Sequence, residues 1–170
     1  MKKIISIILF STLATFGLTS CDTETNEDAG GTNVEKMAGF WDVNVDAVKS
    51  DGTISKDPLG VGTISIMTYN TASNDLDSIF IDDSNKFYNI KFKVPVNYAT
   101  KTFTCESKCY NPYVAGSGNA VVTEGAVLED KGHNIHNLPC DSISFKIKFE
   151  DDNNHLTYLI HGIRHSGFTE

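Results

Sequence analysis

The chain has 170 residues, of which 40% are hydrophobic and 21% charged, with a formal net charge of −8. That is a one-domain length, large enough for a real core. The acidic balance argues against nucleic acid and anionic membrane surfaces as partners and favours solubility.

Lys2 and Lys3 precede an apolar stretch from Ile4 to Phe16, and Leu18-Thr19-Ser20-Cys21 follows. A charged start, a short apolar core and a small-residue cleavage site make a secretory signal, since a membrane span needs about 20 apolar residues. A cysteine directly after the small residues resembles the lipobox of bacterial lipoproteins, in which the thiol takes a diacylglycerol group and becomes the first mature residue. Residues 1–20 therefore read as a signal peptide and Cys21 as the lipidated residue. Acyl chains contribute about 0.8 kcal/mol per buried methylene and hold a soluble domain on a membrane. Removing Lys2 and Lys3 from the 14 basic residues leaves 12 against 22 acidic ones, a net charge of −10.

Residues 21–38 read as a lipidated flexible tether. The run Asp22-Thr23-Glu24-Thr25-Asn26-Glu27-Asp28-Ala29-Gly30-Gly31 is polar and acidic and cannot bury enough surface to fold. Residues 39–170 form the expected globular domain.

From Phe40 onward the apolar period is close to two. Trp41, Val43, Val45 and Ala47 alternate with Asp42, Asn44 and Asp46. Residues 60–69 place Ile64, Ile66 and Thr68 on one face, and 78–82 form a short run. Tyr88, Ile90, Phe92, Val94 and Val96 alternate with Asn89, Lys91 and Lys93, and Phe103, Cys105 and Ser107 with Thr104 and Glu106. Residues 119–123 and 126–129 read as two short runs joined at Glu124-Gly125. Ile143, Phe145, Ile147 and Phe149 alternate with Ser144, Lys146 and Lys148, and 156–164 close the pattern. Such alternation marks half-buried strands. Asp51-Gly52, Ser84-Asn85 and Asp151-Asp152-Asn153-Asn154 supply turns. About eight short strands with no helical period predict an all-β fold, an antiparallel barrel or sandwich.

Gly39-Phe40-Trp41 opens the first strand and Arg164 ends the last. This resembles the calycin pattern of lipocalins, in which a late arginine lies over the first-strand tryptophan and closes the barrel base. A guanidinium over an indole gains about 0.5–2 kcal/mol.

The domain as a whole resembles a family of Bacteroidetes lipoproteins described as lipid-binding putative hydrolases. The resemblance covers nearly all of residues 39–168. It rests on Gly39-Phe40-Trp41-Asp42-Val43, Val45-Asp46-Ala47-Val48 and Asp57-Pro58-Leu59-Gly60-Val61-Gly62. It continues through Thr68-Tyr69-Asn70-Thr71-Ala72, Asp82-Asp83, Asp141-Ser142-Ile143-Ser144-Phe145 and Gly162-Ile163-Arg164-His165-Ser166-Gly167-Phe168. It implies a calycin-like barrel and apolar ligands, and its name raises hydrolysis without supplying a catalytic set to carry over. Acidic residues soon after the lipidated cysteine are similar to the signal for surface display in such lipoproteins. The expected location is the outer membrane, lipid-anchored, on its periplasmic face or at the cell surface.

Cys105, Cys109 and Cys140 remain once Cys21 carries lipid, an odd number in an oxidising compartment. On an extended strand Cys105 and Cys109 would stand about 13 Å apart, beyond the roughly 7 Å a disulfide allows. Cys140 is then the expected partner of one of them. The spacing of His133, His136 and Cys140 matches no common zinc motif, so no metal is expected, and no cofactor either.

For catalysis no Gly-x-Ser-x-Gly elbow exists; Gly116-Ser117-Gly118 reads as a loop, Asp141-Ser142 as a turn. His161 and His165 share one strand face, expected to meet solvent. A barrel of about eight strands encloses one small ligand or is filled by its own side chains. Tyr88, Phe92, Phe103, Phe145, Phe149 and Tyr158 are the candidate lining. The expected function is non-catalytic binding of a small apolar or amphipathic ligand. The rivals are a hydrolase of the same fold and a surface module that recognises protein or glycan, for instance through Tyr110 and Tyr113.

Overall fold

The computed structural model describes residues 31–109, 111 and 120–167. The expected signal peptide, Cys21, Tyr110, Tyr113 and Gly116-Ser117-Gly118 lie outside the described residues. Among the described residues a 3₁₀ turn, Glu35–Met37, precedes nine strands: β1 (Gly39–Val48), β2 (Ile54–Ser55), β3 (Ile64–Asn70), β4 (Ser78–Asp82), β5 (Lys91–Asn97), β6 (Thr102–Cys109), β7 (Ala120–His133), β8 (Pro139–Phe149) and β9 (Thr157–Arg164). All pairings are antiparallel, and β1 pairs with both β3 and β9, which closes β1 and β3–β9 into an eight-stranded barrel. The two-residue β2 adds to the end of β1. The fold is the expected calycin-like barrel.

The period-two pattern explains the inside. Trp41, Val43, Val45 and Ala47 of β1 are buried, as are Ile64, Ile66 and Thr68 of β3 and Ile143, Phe145, Ile147 and Phe149 of β8. Alternate residues face out, as the pleat requires. Closure removes the sheet edges that an open sheet would expose.

Several local expectations change. Residues 31–38 are not part of a flexible tether, because Val34 and Met37 are fully buried in the core and Asn33 bonds Asn74. The two runs joined at Glu124-Gly125 are not two strands. Residues 120–123 and 126–129 belong to the single strand β7, and Glu124-Gly125 is a bulge with a register shift between Thr123 and Ala126. Glu124 takes φ 53°, and the Phe103 ring occupies the space where a Cβ on Gly125 would sit. The Glu-Gly pair thus satisfies bulge geometry, which uses the same residue types as a turn. Tyr88 lies before β5, in the β4–β5 loop, because the chain winds there around Asp83.

The disulfide expectation is overturned. Cys105 and Cys109 pair with each other, with Cα atoms 5.8 Å apart, and Cys140 is a half-buried free thiol. The estimate of about 13 Å assumed an extended run. The β6–β7 register instead shifts on both sides of Cys105, so the chain gathers slack and the two sulfurs meet. Burial, and then the neighbouring Asp141 and Asp130 carboxylates, push the Cys140 thiol above its ordinary pKa. A raised pKa lowers the fraction of thiolate, the form that reacts.

Candidate functional site

Two barrel ends differ in construction. At the base, Trp41 is fully buried and its Nε1–H donates to Thr68 Oγ1 at 2.7 Å. The Thr68 hydroxyl in turn donates a hydrogen bond to the Met37 carbonyl at 2.6 Å. The Arg164 guanidinium lies 4.5 Å from the Trp41 ring centroid and donates to the carbonyls of Ala38 at 2.8 Å and Lys36 at 3.2 Å. Asp141 Oδ2 accepts from it at 3.0 Å. Register brings the two together: Trp41 is the cross-strand partner of Arg164. The structure therefore juxtaposes the two residues singled out for base closure.

The opposite end is closed by aromatic rings. Tyr88 stacks on Phe149 at 3.9 Å, Phe87 meets Tyr158 edge-on at 5.0 Å, and Phe92 lies 6.5 Å from Phe149. Phe103 and Phe145 form a separate pair at 5.6 Å, further toward the base. The six candidate lining residues thus fall into two groups, Tyr88, Phe92, Phe149 and Tyr158 in one and Phe103 with Phe145 in the other, each packed within itself. Such contacts add about 0.5–1.5 kcal/mol each beyond burial.

Carboxylates hold the loops that carry these rings. Asp83 is fully buried, and its Oδ1 accepts the backbone N–H of Asn85 and Ile90, both at 2.9 Å. Its Oδ2 accepts those of Phe87 at 3.0 Å and Tyr88 at 2.8 Å. Asp152 plays the same part in the β8–β9 loop, accepting Asn154 N–H, Leu156 N–H and the Tyr158 hydroxyl. Burial raises the Asp152 carboxyl, but these donors outweigh it and hold its pKa below the usual range. Burial and then the Asp152 partner push the Tyr158 phenol up. Sequence reasoning missed Phe87 and the organising role of the two aspartates. The available signal was the Asp-Ser-Asn and Asp-Asn-Asn pattern, in which an aspartate caps the backbone two residues on.

The barrel wall is uneven. β5 and β6 share only two residue pairs, Val96 with Phe103 and Asn97 with Thr102. Over this short seam lies an open, mainly apolar groove of about 580 Å³, lined by Pro95, Val96, Phe103 and Ala126, with Thr104 and Glu106 at its polar side. The volume falls in the range of small-molecule sites.

Hydrolysis through a serine nucleophile requires a serine beside a base. His161 and His165 are each held by an aspartate instead: His161 Nε2 meets Asp46 Oδ2 at 3.0 Å, and His165 Nδ1 meets Asp42 Oδ2 at 2.7 Å. Neither bonds a serine. Both lie on the outer wall and are partly exposed.

A family model described as a lipid-binding putative hydrolase matches residues 26–169. No curated protein matches the chain.

Proposed function

The chain belongs to the family described as lipid-binding putative hydrolases, and from that premise we propose that it is an envelope protein that binds a lipid-like ligand without catalysis. The carrying observation is the seam between β5 and β6. A wall joined by two residue pairs is its weakest point, and the groove over it offers apolar atoms flanked by hydroxyls and a carboxylate. An acyl chain suits Pro95, Val96, Phe103 and Ala126, and an uncharged polar head suits Thr104 and Glu106. The packed aromatic interior supports binding at the wall rather than deep inside.

The test uses a fluorescently labelled monoacylglycerol, whose head carries no charge, on the mature protein. We expect saturable fluorescence and displacement by the unlabelled lipid. Ala126→Arg places a charge across the groove and should weaken binding at least about tenfold, the effect of desolvating one poorly paired charge. Binding that is absent, or unchanged in Ala126→Arg, removes the reading.

Anchoring belongs to the same proposal. Cys21 carries the lipid and holds the domain at the outer membrane, on its periplasmic face or the cell surface. No helix among the described residues is long and apolar enough to cross a membrane. Cys21→Ser should leave an unacylated, soluble precursor. Metabolic labelling with a radioactive fatty acid reads this directly; label retained by the variant shows that the anchor lies elsewhere.

A further inference from the structure

We infer that the outer wall of β1, β8 and β9 carries a second site, a groove for a neutral saccharide, under the overhanging β7–β8 hairpin. The groove measures about 720 Å³. Its roof comes from Lys131, Gly132 and Ile135, where β7 shifts register between Leu128 and Gly132 and bends over the wall. Gly132 permits the bend, since a Cβ there would lie 2.6 Å from Ile163 Cγ2.

The floor is a polar array fixed by register. Ser144, His161 and Asn44 stand directly opposite one another on three adjacent strands, and Ser142, Ile163 and Asp42 form the next row. Neighbouring strands lie about 4.8 Å apart, close to the length of one pyranose ring. Most of these side chains are already held. Asp42 accepts from Ser65 and pairs with His165, the Asn44 carbonyl oxygen accepts from Thr63, and His161 pairs with Asp46. What remains among the described residues is the Asn44 amide donors, the Ser142 and Ser144 hydroxyls and the second ring nitrogen of His161. Preorganised donors and acceptors lose little entropy on binding.

The chemistry selects the class of ligand. A hydroxyl both donates and accepts, so it matches this mixed set. The Asp42 carboxylate on the floor is offset by the Lys131 ammonium in the roof, so the groove has no excess positive charge with which to hold an anion. An apolar ligand would strip water from the same polar groups at a cost. Ile135, 50% exposed, and Ile163 offer apolar contact to the C–H face of a sugar ring. This site is separate from the β5–β6 seam and does not depend on lipid binding.

Titration of ¹⁵N-labelled mature protein with maltotriose, cellotriose, xylotriose, laminaritriose and N-acetylchitotriose tests the site, with trigalacturonate as the anionic comparison. We expect at least one neutral trisaccharide to shift the Asn44, Ser144, His161 and Gly162 amides at millimolar concentration. Asn44→Ala and Ser144→Ala should each weaken that binding about tenfold, the loss of one hydrogen bond to a ligand. Both variants should keep the parent's melting temperature and its binding of the labelled monoacylglycerol. Ala126→Arg, in the other groove, should bind the saccharide as the parent does. Absence of shifts with all five neutral sugars overturns the inference. So do shifts confined to other surfaces, or trigalacturonate binding as tightly as the best neutral sugar.

Discussion

Asp83→Ala should destabilise the protein by about 4 kcal/mol, an unusually large cost for one substitution. The carboxylate is fully buried and accepts four backbone N–H groups. Hydrogen bonds to a charged group are worth roughly 1.5–3 kcal/mol each, and a buried donor left without a partner costs about 1–3 kcal/mol. Alanine orphans all four donors, and local relaxation with entering water recovers part of the loss. The loop also holds Ser84, Asn85 and Asn89 at positive φ, so it has little reason to keep its shape once the carboxylate is gone. Phe87 and Tyr88 ride on that loop, and the Tyr88–Phe149 stack should loosen with it. Asp83→Asn should cost less, about 2–3 kcal/mol, because its amide oxygen keeps two of the four donors while its N–H₂ opposes the others. Urea denaturation followed by near-ultraviolet circular dichroism measures both effects. An alanine variant within about 1 kcal/mol of the parent would show that the loop does not rely on this carboxylate.

Asp83 also shows where the sequence was legible and where it was not. The pair Asp82-Asp83 stood out among the residues that resemble the family, and Ser84-Asn85 read as a turn. Neither feature says that one carboxylate gathers donors up to seven residues away, since that depends on how the loop closes. Other residues of the resemblance have similar duties. Asp57 accepts the N–H of Val61 and Gly62, Thr68 links Trp41 to Met37, and Asp46 accepts the N–H of Asp57. Burial raises the Asp46 carboxyl, but the Asp57 and His161 partners outweigh it and hold its pKa below the usual range. The chemistry-bearing residues of the pattern thus organise loops and strand ends, which is why no catalytic set emerged from them.

Strands were readable because alternation is a direct consequence of the pleat. Bulges were not, because Glu124-Gly125 suits a turn and a bulge equally. That same ambiguity misled the cysteine geometry, for a strand that gathers slack does not span 3.3 Å per residue. Both proposed grooves were out of reach for a related reason. One depends on how few pairs β5 shares with β6; the other joins Asp42 and Asn44 of the first strand to His161 of the last, 119 and 117 residues apart in one chain. Only the closure of the barrel makes them neighbours.

Closure itself supplies the second large effect: Arg164→Ala should cost about 3 kcal/mol. The guanidinium covers a fully buried indole, donates to two carbonyls of the 3₁₀ segment and pairs with Asp141. A partly desolvated cation–π contact contributes up to about 2 kcal/mol. Each carbonyl bond from a charged donor adds a comparable amount in principle, but the Arg164 side chain is 31% exposed, and water screens part of the gain and replaces lost partners. The loss is of packing as well as charge, since alanine leaves the face of Trp41 open to water. Arg164→Lys should recover less than half, because an ammonium cannot lie flat on the ring and reach both carbonyls and the carboxylate together. Gly39 supplies a second route to the same clamp: a Cβ at that position would occupy the space of the guanidinium, with Cζ at 3.2 Å. Gly39→Ala should therefore displace Arg164 and reproduce much of its loss, and adding it to Arg164→Ala should cost little more, as expected for residues that act on one contact. Urea denaturation of the two single variants and the double variant, with Trp41 fluorescence as the probe, gives the coupling directly. Fully additive costs would mean that Gly39 acts elsewhere, and an Arg164→Ala variant as stable as the parent would leave the base closed by Trp41 and Thr68 alone.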